Sequence, residues 1–262
     1  MVPIVLSIAG TDPSGGAGLF ADLKTFHACA TYGAGVVSAI TVQNTLGVRR
    51  VEAVPPGLVA AQLAVVLDDL AVSAIKTGLL ATAAQVEAIA ACLDAYPPIP
   101  LVVDPVLTAG SGQPLGASDV ADAIATRLIP RAAVITPNLD EAARLTHLDV
   151  RDLAGMHRAA TALVARGAAA VLVKGGHLQG DPCDVLRIGR VAHELRGPRL
   201  GTERRHGAGC TLSAALAARL AQGDTLEVAV ERARAFVRAA LASDATPGHG
   251  ARPLDHFLGK TS

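Results

Sequence analysis

Residues 205 to 223 read RHGAGCTLSAALAARLAQG. Gly207 and Gly209 flank Ala208, Cys210 follows, and an alanine-rich run of helical character continues from there. Amides at the start of a helix attract anions, so this stretch has the makings of a phosphate-binding loop ending in a thiol. A lone cysteine is also a small hydrophobe suited to packing. Three other places carry chemistry. Asp104 in VVDPVL ends an apolar run and could hold Mg2+ or cap a turn. Asn138 and Glu141 in ITPNLDEA stand three apart, the spacing of a helix N-cap with an acid in the first turn. Lys174 precedes two glycines in VKGGH, where it could meet a phosphate or solvent.

A fourth stretch, AGTDPSGGAGLFADLKTF, brings Gly15, Gly16 and Gly18 before a helix. Gly16 to Ala21 fits GxGxxA, the spacing of a dinucleotide-binding turn. The acid that should hold a ribose is missing, because residues 34 to 47 contain no Asp or Glu. The TDPSG insertion is also too long for that tight turn. A glycine-rich turn packing helix on strand is the plainer reading.

The elements that must position these residues alternate along the chain. Apolar runs PIVLSIAG, AGVVSAITVQN, VSAIKTGLL, IPLVVDPVL, AAVITPN and AAVLVKGG have strand length and strand composition. Between them, helical spacing falls near Gly16–Thr31, Gly57–Leu70, Ala83–Tyr96, Ser118–Leu128, Leu139–Thr146 and Asp152–Arg166. Continuous Val/Ile/Leu strands linked by helices predict a mostly parallel sheet with helices on both faces. DVLRIGRVAHELRG departs from this rhythm and predicts a β-hairpin added at the sheet edge. Helices at Ala208–Gln222 and Thr225–Ser243 and a loose tail complete the chain. No linker or repeat interrupts it, so residues 1–262 are expected to form one domain. Ligands in such sheets collect at the carboxyl ends of strands, where Asp104, Asn138 and Lys174 fall.

Composition narrows the function classes. Of 262 residues, 51% are hydrophobic and 18% charged, which fits a packed globular chain. Aromatics make up 2%, too few for base-stacking platforms, and 23 basic residues balance 23 acidic ones. Neither nucleic acid nor a membrane surface is an expected partner. Cys29, Cys92, Cys183 and Cys210 form no CxxC pair, which argues against a zinc site or a disulfide framework and for a reduced, cytoplasmic setting. The N-terminus lacks the basic start of a signal peptide. The uncharged stretch 25 to 48 includes His27, Gln43 and Asn44 and reads as a buried helix-to-strand segment instead of a membrane span.

In order, IAGTDPSGGAGLFADLKTF, TVQNTLGV, IKTGLL, VVDPVL, ITPNLDEA, LVKGGH and HGAGCTLSAALAA resemble the hydroxymethylpyrimidine/phosphomethylpyrimidine kinases of thiamine biosynthesis. The likeness runs from Ile4 to His256. It implies a ribokinase-like, three-layer αβα fold and ATP-dependent phosphorylation of 4-amino-5-hydroxymethyl-2-methylpyrimidine, then of its monophosphate. By position it places Gly10, Asp22, Gln43, Leu79 and Val106 around the pyrimidine. Asn138, Lys174 and Thr211 fall at ATP and its phosphates, with Glu141 and Asp104 near Mg2+ through water. Gly207, Ala208 and Gly209 become the anion hole and Cys210 the base. A thiol at a helix N-terminus is expected to have a lowered pKa. The family's usual Thr is Ala208 here, Arg204-Arg205 replaces Asn-Thr, and Phe20 and Leu79 depart at positions bearing on substrate shape. A pyridoxal kinase shares the Gly-x-Gly-Cys loop and is the alternative enzyme; a pyrimidine-binding protein without turnover is the alternative of another class. A homodimer is expected.

Overall fold

A computed structural model describes residues 2–109, 112–113, 115–176, 178, 180–199, 205–242 and 247–257. Arg204 and His177 lie outside the described residues. Strand β1 (Ile4–Gly10) leads through the glycine-rich loop to helix α1 (Gly18–Ala28). Then follow β2 (Tyr32–Asn44), β3 (Gly47–Ala53), α2 (Pro56–Asp69), β4 (Val72–Thr77), α3 (Ala83–Leu93) and β5 (Leu101–Val103). A short α4 (Val120–Ala123) runs into a π-helical turn and a 3-10 turn before β6 (Val134–Ile135), α5 (Leu139–Thr146), α6 (Leu153–Ala165) and β7 (Ala170–Val173). The chain closes with β8 (Cys183–Ile188), β9 (Val191–Arg196), β10 (Arg205–His206), α7 (Ala208–Ala221), α8 (Leu226–Leu241) and β11 (Arg252–Pro253).

Nine strands among the described residues pair in the order β3-β2-β1-β4-β5-β6-β7-β8-β9. From β2 to β7 all pairings are parallel. Side chains alternate across each parallel strand and feed two cores. Leu6, Ile75, Val103 and Val171 pack under α2, α3, α5 and α6. Val5, Ala74, Val102 and Leu172 pack under α1, α7 and α8. That two-sided burial is why these strands are continuously apolar.

The expected hairpin is β8–β9, antiparallel and at one edge. The other edge is a second antiparallel hairpin, β2–β3, which the sequence did not announce. Its strand GVRRVEA is mostly exposed and charged, so it lacks the apolar signature of its neighbours. The tail is not loose. β11 pairs with β10, Ala251 donates to the Thr45 carbonyl at 2.8 Å, and Leu254 and His256 are buried.

Gln85 shows how the loops are tied to the sheet. It is fully buried in α3, donates from Nε2 to the carbonyls of Ser38 (2.7 Å) and Val54 (2.6 Å), and accepts from the Ala81 amide at 2.8 Å. Gln85→Leu fills the space but strands the Val54 carbonyl and the Ala81 amide, and leaves the Ser38 carbonyl with the Val54 amide alone. Urea unfolding should register a loss of roughly 3 kcal/mol; a loss below about 1 kcal/mol would mean those groups find other partners.

Candidate active site

Polar residues gather where the parallel strands end. Asp104 follows β5, Thr136 to Asn138 follow β6, and Lys174 follows β7. Asp104, 1% exposed, accepts from Lys174 Nζ (3.0 Å) and Thr136 Oγ1 (3.2 Å) on Oδ1, and from Ser213 Oγ (3.1 Å) on Oδ2. Burial opposes its charge, yet the neighbouring lysines Lys174 and Lys76 hold its carboxyl below the usual range. Asn138 caps α5: its side chain accepts from the Glu141 amide at 2.9 Å, and Glu141 Oε2 accepts from the Asn138 amide at 2.8 Å. The plain helix-cap reading of this pair is therefore realised. The same geometry also sets Glu141 3.8 Å from Lys174 Nζ, so capping and site-building coincide. Burial pushes the Glu141 carboxyl up to about 7 against the pull of Lys174.

The start of α7 faces this group. Gly207 has φ +83°, a left-handed conformation natural to glycine, and a Cβ there would stand 1.9 Å from the Gly16 carbonyl oxygen. The two glycine loops thus press directly on one another. A Cβ on Gly209 would sit 3.1 Å from Lys174 Nζ, which puts the lysine at the mouth of the anion loop. Gly207, Ala208, Gly209 and Cys210 all open on this side, half-buried.

Lys76 is a site residue that the sequence reading missed. It lies at the carboxyl end of β4, fully buried, with Nζ 2.7 Å from Asp22 Oδ2. Ser7 donates to the same oxygen at 2.6 Å, while Asp22 Oδ1 is buried without a hydrogen-bond partner. Burial raises the Asp22 carboxyl, and the carboxylate in turn keeps the Lys76 ammonium charged well above its ordinary value. Gly10 and Leu79 meet closely, since a Cβ on Gly10 would stand 2.9 Å from Leu79 Cδ2, and Val106 packs on the small apolar cluster that holds Leu79. Gln43 stands at the far end of β2, against His206.

One expectation is corrected. Cys210 was expected to have a lowered pKa, but burial pushes its thiol up to about 11, and Asp104 and Asp22 add to the shift against Lys76 and the Gly18 amide. A helix N-terminus does not outweigh lost hydration beside two carboxylates. Thr211, expected at a phosphate, lies in the first turn of α7. Its amide is spent on the Gly207 carbonyl (2.9 Å) and its buried hydroxyl lies 3.0 Å from His256 Nε2.

A glycine anion loop at a helix start, opposed by lysine and carboxylates at the carboxyl ends of parallel strands, belongs to the ribokinase-like α/β kinase fold. Solved structures agree. The Staphylococcus aureus pyridoxal kinase in complex with AMP-PCP and pyridoxal superposes with a TM-score of 0.90 at 34% identity, covering 98% of this chain and 94% of that one. A phosphomethylpyrimidine kinase from Clostridium difficile 630 superposes at 0.81 with 36% identity, over 91% and 99% of the two chains. Among curated relatives, the hydroxymethylpyrimidine/phosphomethylpyrimidine kinase of Streptomyces coelicolor is 46% identical over 97% of this chain and 94% of its own. The family model for phosphomethylpyrimidine kinase matches residues 12–255, and the chain belongs to that family.

A raised thiol pKa has a direct readout. In a variant with Cys29, Cys92 and Cys183 replaced by alanine, alkylation of Cys210 by iodoacetamide should keep accelerating with pH up to about 9.5, since only thiolate reacts. A plateau reached by pH 8 would show a lowered pKa instead.

Proposed function

We propose that this protein transfers the γ-phosphoryl group of ATP to the hydroxymethyl oxygen of 4-amino-5-hydroxymethyl-2-methylpyrimidine, and then phosphorylates the monophosphate to the pyrophosphate. The observation that carries the reading is the placement of Lys174 against the Gly207–Gly209 loop. A cation and helix-start amides facing one point suit a phosphoryl group gathering charge.

The alcohol oxygen attacks phosphorus as the bond to ADP breaks, and the hydroxyl proton passes to an anionic oxygen of the transferred phosphoryl group. Phosphoryl transfer depends on positioning and charge more than on a strong base. Because Cys210 carries its proton at neutral pH, it is not a preformed thiolate. Its sulfur holds the hydroxyl in line, and any negative charge that develops there is met by the Lys76 ammonium. The residues also fit Mg2+ in one specific way. No group of three or more His, Cys, Asp or Glu among the described residues could enclose a metal, and both Asp104 oxygens already have protein donors. A hydrated Mg2+ carried on the ATP phosphates would meet Glu141 and Asp104 through its waters and supply charge neutralisation.

Steady-state kinetics with the two alcohols test the reading. The kcat/KM for the pyrimidine should exceed that for pyridoxal at least about tenfold, roughly 1.4 kcal/mol of discrimination. A preference for pyridoxal would reassign the substrate. No ADP release with either alcohol would leave a binding protein. Cys210→Ala should lower kcat by about a hundredfold or more while KM changes little, as expected for a group acting in the transition state. Near-normal turnover would reduce Cys210 to packing.

A further inference from the structure

Asp12 and His206, to which the resemblance assigns no role, form a chain of contacts with Gln43, which it places at the pyrimidine. Asp12 is 1% exposed and organises the glycine-rich loop. Its Oδ1 accepts from the Ser14 amide (2.9 Å) and hydroxyl (2.7 Å), and its Oδ2 accepts from the Ala17 amide at 2.9 Å. The same Oδ2 lies 2.7 Å from His206 Nε2. His206 Nε2 is in turn 3.2 Å from the Gln43 carboxamide, whose Nε2 is the atom placed against it, an orientation interchangeable with Oε1 by a half-turn of the amide.

The backbone fixes all three partners. His206 lies on β10, paired to Pro253 of β11, and its ring edge would be 2.6 Å from a Cβ on Gly16. At the Val42/Gln43 step the β2–β3 register shifts, and such an irregularity re-aims the side chain that follows it. Thr41 is tied to the loop by two bonds that it donates to Thr11, from its amide to Oγ1 at 3.1 Å and from its hydroxyl to the carbonyl at 2.8 Å.

The hydrogen positions follow from chemistry. Burial works against the Asp12 charge, but hydrogen bonds from His206 and Ser14 outweigh it and keep the carboxyl below its usual range. A carboxylate brings no hydrogen, so the 2.7 Å contact needs one on His206 Nε2. That single N–H then faces Gln43 as well, and a donor cannot face an amide NH2. The carboxamide therefore offers Oε1 to His206 and turns its NH2 away. Oxygen and nitrogen of an amide are assigned by just this kind of network.

We infer that Asp12 and His206 are a positioning pair that locks the Gln43 carboxamide with its NH2 toward the substrate, so that the pocket selects a heteroaromatic ring presenting a hydrogen-bond acceptor there. The inference rests on the reading that Gln43 touches the pyrimidine. His206 also precedes Gly207, so one side chain links the ring-recognition end of the site to the anion loop.

Kinetics of His206→Ala, His206→Asn, His206→Gln, Gln43→Ala and the Gln43→Ala/His206→Ala double variant test it, with folding checked by thermal melts. His206→Ala should raise KM for the pyrimidine alcohol about tenfold, with kcat falling less and KM for ATP within about twofold of the parent. His206→Gln restores an N–H near the Nε2 position and should recover most of the loss, whereas His206→Asn, whose amide stops short, should not. If the alanine variant does not fold, the asparagine variant carries the same comparison. The double variant should bind the alcohol no worse than Gln43→Ala alone, the signature of coupled residues. Additive effects, or a loss confined to kcat, would overturn the positioning role while leaving the pyrimidine reading intact. An unchanged KM in Gln43→Ala itself would remove Gln43 from the substrate and overturn both.

Discussion

Two ion-paired lysines, Lys76 buried in β4 and Lys174 half-buried at the end of β7, set the terms for the rest of the site. Lys76 is paired with Asp22 at 2.7 Å and Lys174 with Asp104 at 3.0 Å, and both pairs lie beneath the start of α7. Burying a charge is costly unless it is paired and hydrogen-bonded, so each lysine commits its carboxylate and a supporting hydroxyl: Ser7 for Asp22, Ser213 and Thr136 for Asp104. Those commitments explain the neighbours. β1 ends with glycine beside Leu79, α7 begins with glycines pressed on the Gly16 loop, and Ser213 occupies the next turn of α7. On the proposed reading, a phosphoryl group at the α7 amides would meet positive charge on the Lys174 side, while Lys76 stands close enough to act on the Cys210 sulfur.

The same constraint explains the thiol. A cysteine at a helix start is usually read as acidic, because the helix end carries partial positive charge. Here the thiol is enclosed beside Asp22 and Asp104, each balanced by its own lysine, so little net positive charge is left to stabilise a resting thiolate. Cys210 is suited to acting during transfer and to staying protonated, hence unreactive, between turnovers.

Much of the fold was legible because it rests on period and composition. Parallel strands buried on two faces are continuously apolar, and every one of the six such runs became a strand of the central sheet. α5 was legible to its ends, since Asn138 and Glu141 spell a capping box. β3 was not, because an exposed edge strand carries charges and is held by backbone pairing that composition does not record. The tail was missed for a related reason: it is fastened by Thr45 and β10, both distant in sequence. Within the site, Asp104, Glu141, Lys174 and the Gly207–Cys210 loop stood out as polar or glycine residues just after strands. Lys76, Asp12 and His206 did not, since their meaning lies in long-range partners. Asp22 is 54 residues from Lys76, and Asp12 is 194 from His206. A lysine inside an otherwise apolar strand was the one local signal available.

The central claim is that the phosphoryl group crosses at the start of α7, between Lys174 and Cys210. A crystal structure with Mg2+, AMP-PCP and the pyrimidine alcohol bound together tests it most directly. The account predicts the γ-phosphonate on the amides of residues 208 to 210 with Lys174 alongside. The hydroxymethyl oxygen should lie in line with phosphorus, about 3 to 3.5 Å away and next to Cys210 Sγ. A γ-phosphonate bound elsewhere, or a hydroxymethyl arm pointing away from Cys210, would contradict it.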